Sequence, residues 1–197
     1  MEISNQKLGG LLIAIASTQL ILLLIAAEAL YPGYNISSSF ISSLSIGSTG
    51  SIFGVSLFLF GLLVLLSGYF LRTFRDVLIN AAVAVIGVAA IGASVFPVNS
   101  GIPHVFFSSI LFVFGGIAAI GSFRIEKPPL SYFSVLLGFI TLASFILFAF
   151  TNYSFGLGSG GLENLMAYPP LIWALLLGGY LMNSESGSAS RARRRRR

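Results

Sequence analysis

Six apolar stretches, at about residues 8–30, 52–71, 77–96, 103–123, 130–150 and 164–182, follow one another along the chain, each free of Lys and Arg. A helix rising 1.5 Å per residue needs roughly 20 residues to cross the hydrocarbon core of a bilayer, and every stretch is near that length. None alternates polar and apolar positions with a period of two, so barrel strands are not indicated. In lipid the backbone must satisfy its polar groups within its own segment, and the pattern therefore predicts helices. The expected fold is an all-α membrane protein, a six-transmembrane-helix bundle over residues 1–182 followed by a disordered cationic cytoplasmic tail at 183–197.

Finer positions add detail. Ile36, Phe40, Ile41 and Leu44 in the serine-rich loop before the second stretch fall on one side of a helix. They fit either a short interfacial helix on the membrane surface or apolar groups packed on the bundle. Small residues recur four apart (Gly10 and Ala14, Ala89 and Ala93, Ala90 and Ser94, Gly115 and Ala119), spacing that lets helix backbones approach closely. Gln19, beside Thr18 midway along the first stretch, needs a partner on another helix. Pro169 and Pro170 should bend or break the sixth helix. The glycine-rich residues 156–161 precede no strand and carry no phosphate-loop lysine, and read as a flexible outer loop.

Composition removes the soluble alternatives. Of the 197 residues 56% are hydrophobic and 9% charged, with a mean hydropathy of +0.94, against about 25% charged in soluble domains. The connections are too short to bury a water-soluble core. Cysteine is absent, which excludes disulfides, thiol chemistry and Cys-based metal centres.

Charge then orients the bundle. Lys7, Arg72, Arg75, Arg124, Lys127 and the six C-terminal arginines account for all 11 basic residues, and all fall before helix 1, in alternate loops or after helix 6. The positive-inside rule predicts both termini in the cytoplasm. A competing reading takes residues 1–29 as a signal peptide ending at Ala27, Glu28 and Ala29, but the apolar stretch is longer than the usual core of 7 to 15 residues and favours a retained helix. The tail residues Arg191, Arg193, Arg194, Arg195, Arg196 and Arg197 suit contact with anionic lipid headgroups, worth about 1 kcal/mol each, and lack a fold that would read nucleic acid.

Glu28 at the outer end of helix 1, His104 at the start of helix 4 and Glu163 ahead of helix 6 share one membrane surface, with Asn35, Asn99, Asn152 and Asn164 nearby. A helix start disfavours imidazolium at His104 and keeps the ring a neutral base or ligand. A neutral imidazole with two carboxylates could hold a divalent metal or serve as an acid–base catalyst. The alternative is three separate roles: Glu163 capping helix 6, His104 at headgroup level and Glu28 reaching water. Asp76, Glu126, Glu2 and Glu185 belong to the cytoplasmic ends, so the embedded acids of an ion-coupled pump are missing. Asn35-Ile36-Ser37 and Asn152-Tyr153-Ser154 match glycosylation acceptors on the outer side.

Pro32-Gly33-Tyr34-Asn35 with Ile41-Ser42-Ser43-Leu44, Phe96-Pro97 ahead of His104, and Leu162-Glu163 ahead of Trp173 resemble the six-helix membrane family catalogued as domain of unknown function 998. The resemblance covers nearly the whole chain. It implies a fold and a membrane location, no activity, and some weight for His104 and Glu163. Ser43 stands where members often carry an acid and Asn164 where an arginine often follows the glutamate. The leading functional reading is a non-enzymatic polytopic protein of a prokaryotic plasma membrane, acting in envelope integrity, lipid interaction or assembly with membrane-protein partners. Two alternatives are an outer-facing lipid-modifying or metal-assisted hydrolase using Glu28, His104 and Glu163, and a small-solute or lipid transporter.

Overall fold

The computed structural model describes residues 4–72, 76–151 and 153–183. Arg75, Asn152 and the arginines of the tail, with the lipid contact expected of them, lie outside the described residues. Among the described residues the protein is all-helical, with α1 (Asn5–Leu30), α2 (Gly50–Leu71), α3 (Val77–Val95), α4 (Ile102–Gly121), α5 (Leu130–Phe150) and α6 (Gly158–Asn183). All six are long and apolar enough to cross a membrane.

Local chemistry sets the helix starts. The Ser4 hydroxyl accepts the Lys7 N–H at the start of α1, and the Asp76 carboxylate accepts the N–H groups of Leu78 and Ile79 at the start of α3. Gly101, at φ +68°, turns the chain into α4 through a conformation a side chain would resist.

Each helix packs against its neighbours in sequence, and α1 closes the ring on α6; α4 also touches α6, which leaves α5 on the outside of that pair. Because lipid tails are as apolar as leucine, close packing holds such helices together. At the α1–α6 crossing a Cβ on Gly10 would lie 2.7 Å from the Gly178 carbonyl oxygen. Gly61 against Gly87 and Gly116 against Gly138 form the equivalent crossings of α2 on α3 and α4 on α5. Polar bonds cross the seams as well. Gln19 donates to the Ser56 carbonyl of α2 at 3.0 Å, the partner its position required, and Ser67 donates to the Gly9 carbonyl at 2.8 Å.

One end of the ring, the basic end, holds Ser4, Asn183, Lys7, Arg72, Arg124 and Lys127, and Gln6 there donates to the Leu181 carbonyl at 3.3 Å. Arg124 pairs with Asp76 at 3.5 Å, the Trp173 indole donates to the Ser122 hydroxyl at 2.8 Å, and Ser134 donates to Glu126 at 2.5 Å.

The opposite, loop end is covered by residues 31–49. This segment forms two short 3-10 turns, Ile41–Ser45 and Gly47–Thr49, and Ile41 and Leu44 are buried in the core while Ile36 stays exposed. Of the two readings of the loop, packing on the bundle describes Ile41 and Leu44. The segment is tied down on both sides: Val98 N–H donates to Ser45 Oγ at 2.9 Å, Gly160 N–H to the Ser37 carbonyl at 3.0 Å, and Ser37 Oγ to the Leu157 carbonyl at 2.8 Å.

Two expectations are corrected. Residues 158–161 are the first turn of α6 and not a flexible loop, so the helix begins at Gly158 instead of 164. Gly160 packs so closely on the carbonyls of Ile36 and Ser39 that any side chain would collide with them, and tertiary contact overrides the poor helix propensity of glycine. Pro169 and Pro170 do not break α6, which runs through them to Asn183. Glycine is tolerated in membrane helices, and so is proline, where neighbouring helices support the backbone.

Candidate functional site

Inside the ring runs a slot of about 90 Å³, partly enclosed by α1, α2, α3, α4 and α6 together with the 3-10 turn at Ile41–Ser45. No residue of α5 lines it. Its lining on α6 extends from Glu163 to Leu177, a rise of about 21 Å. Four polar residues, Ser42, His104, Ser108 and Glu163, line the loop end. Beyond them the walls are apolar, set by residues such as Leu20, Phe60, Ile86, Phe112 and Leu171, and Trp173 is the one further ring with a polar atom.

His104, 6% exposed in the first turn of α4, has Nδ1 2.8 Å from the Phe96 carbonyl oxygen and Nε2 3.3 Å from Ser108 Oγ. A carbonyl only accepts, so Nδ1 carries the hydrogen. When the ring is neutral with its hydrogen on Nδ1, Nε2 is an acceptor and Ser108 the donor. The Phe96-Pro97 turn thereby fixes the orientation of a histidine eight residues on.

Glu163, 5% exposed, does not cap α6; it lies in the second turn and accepts the Ser42 N–H on Oε1 at 3.3 Å. The Ser42 hydroxyl and the Ile41 N–H stand near the carboxylate, yet Oε2 is left without a partner of hydrogen-bond geometry.

Glu28 lies outside the slot lining. Its Oε1 accepts from Tyr168 at 2.9 Å and from Tyr34 at 3.4 Å. Burial, reinforced by the Glu28 carboxylate, pushes the Tyr34 phenol up to about 12. Of the three residues expected to share the outer site, His104 and Glu163 meet one slot and Glu28 anchors a pair of tyrosines. Among the described residues no group of three or more His, Cys, Asp or Glu side chains could hold a metal ion.

Asn35 Oδ1 accepts the N–H groups of Ser37 and Ser38, and Asn164 donates to the Gly160 carbonyl. Ser42 and Ser108 were not singled out from the sequence. For Ser108 the signal was present, since a residue four after His104 on a helix must face it; nothing in the serine-rich loop distinguishes Ser42 from its neighbours.

The family described as "Protein of unknown function (DUF998)" matches residues 14–180. The chain belongs to this family. That span takes in α2 to α5 whole, most of α1 and α6, the covering loop and all four polar residues of the slot, so the DUF998 region covers the six-helix ring. Neither the curated proteins nor the solved structures contain a match to the chain.

Proposed function

We propose that this multi-pass membrane protein of the DUF998 family binds lipid, holding the single apolar chain of an amphiphile in its central slot with the headgroup at the loop end. The observation that carries this reading is the slot's shape and polarity. A cavity of roughly 150 Å³ is enough for a compact ligand such as benzene, whereas about 90 Å³ drawn out along α6 from Glu163 to Leu177 suits a ligand one methylene wide. Passage of a polar solute would need polar groups along the way, and past Ser108 the walls offer only the Trp173 indole, whose N–H is already given to Ser122. The distribution of Lys and Arg supports a basic end in the cytoplasm and a loop end facing outward.

Trp173, 3% exposed, lines the slot and is the sole tryptophan of the sequence. Its fluorescence in the purified protein therefore reports what enters. Single-chain amphiphiles brominated along the chain should quench it in a saturable manner. Ala167→Phe, which fills the slot, should abolish the saturable part while leaving the melting temperature near wild type. Quenching that rises linearly with probe and ignores Ala167→Phe would show contact from outside the ring and sink the proposal.

A second reading, hydrolysis of a lipid ester in the same slot, draws on the chain from Ser108 through His104 to the Phe96 carbonyl. This is the order nucleophile, base, orienter, with the serine proton passing to Nε2. The helical setting argues against it, because the backbone N–H groups around Ser108 are committed to α4 and supply no oxyanion site. Covalent labelling of Ser108 by an alkyl fluorophosphonate, absent in His104→Gln, is the result that would favour hydrolysis.

A further inference from the structure

An apolar chain gains little by leaving lipid for an equally apolar slot. Retention and selectivity therefore fall to the headgroup, and the loop end of the slot has a definite chemistry. Glu163 Oε2 there is buried and unpartnered, and His104 Nε2, an acceptor when the ring is neutral with its hydrogen on Nδ1, is met only by Ser108 at 3.3 Å and can exchange that donor for one from a ligand. Glu163 keeps an acceptor oxygen whether or not it is ionised. Among the described residues no Lys or Arg lines the slot, and Lys7, Arg72, Arg124 and Lys127 are at the other end of the helices. A phosphate or carboxylate headgroup would thus be desolvated with no cation beside it, next to a carboxyl group, which is costly. A headgroup with N–H or O–H donors would fill the open acceptor on Glu163 and replace Ser108 on His104 Nε2.

From this placement, and resting on the chain-binding reading above, we infer that the slot selects amphiphiles whose headgroup donates hydrogen bonds and carries no negative charge, and rejects their phosphate counterparts. A vicinal diol brings two hydroxyl donors, one for each of Glu163 and His104. An ammonium headgroup shares the donor chemistry.

The test uses the full chain in neutral detergent and three probes with one identical brominated chain: a monoacylglycerol, a long-chain primary amine and a lysophosphatidate. The diol, the amine or both should quench Trp173 at about tenfold lower concentration than the lysophosphatidate, as loss of a hydrogen bond to a buried acceptor would dictate. Whichever leads shows whether hydroxyl or ammonium is the preferred donor. Glu163→Leu should shrink the preference to within about twofold, and Glu163→Gln, which keeps one acceptor oxygen, should retain part of it. Equal quenching by all three probes, or stronger quenching by the lysophosphatidate, overturns the headgroup inference while chain binding stands. Absence of saturable quenching by every probe overturns both.

Discussion

Tyr168 and Glu28, 140 residues apart in sequence, meet at 2.9 Å where α6 crosses α1, the phenol donating to the carboxylate. The bond closes the ring near the loop end, as the Gly10–Gly178 crossing closes it nearer the basic end. A hydrogen bond to a charged group contributes about 1.5 kcal/mol or more when water is largely excluded. Tyr168→Phe should therefore lower the thermal midpoint of the detergent-solubilised protein by several degrees. Combined with Glu28→Leu it should cost less than the sum of the two single changes, since each removes the same hydrogen bond. Additive losses in that cycle would show that the pair is not coupled.

Glu126, 5% exposed at the basic end, gives a pH dependence of known sign. Burial raises its carboxyl above the ordinary range, and the bond from Ser134 works against the rise without cancelling it. A carboxyl raised in the fold contributes stability that is complete below its unfolded pKa, near 4.3, and is lost as the pH climbs through the native value. Glu126→Gln mimics the protonated form. It should melt above wild type at pH 8, with the gap closing toward pH 4; a gap that is constant with pH would refute the assignment.

Adjacent glycines in α6 should behave oppositely. A Cβ on Gly178 would stand 2.6 Å from the Gly10 carbonyl oxygen, whereas one on Gly179 meets nothing within 4 Å. Gly178→Ala should destabilise by about 1–3 kcal/mol through overpacking, and Gly179→Ala should be neutral or stabilise by up to about 1 kcal/mol through helix propensity. Melting temperatures of the two variants, measured side by side, decide it.

The helices were legible because a bilayer imposes a length on each apolar run, and five of the six starts fall within three residues of their expected places. The sixth was not, because the reason residues 158–161 are helical lies 120 residues away, in the carbonyls of the covering loop. Likewise, the sequence placed Glu28, His104 and Glu163 at one level of the membrane but not around the ring. Depth follows from counting residues along a helix; azimuth depends on which face each neighbour claims. Glu28 turned toward Tyr168, while Glu163 and His104 turned inward.

Closure of α1 on α6 brings the first and last described turns into contact, with Gln6 bonded to the Leu181 carbonyl. Around such a ring no helix is structurally first. If Asn183 were joined to Ser4 by a short linker and the chain opened between α2 and α3 at the same end of the bundle, every helix would keep its direction across the membrane and every seam its partner. The order of synthesis and the architecture are thus separable, and the covering loop, the slot and its polar end belong to the ring itself and not to the position of its termini.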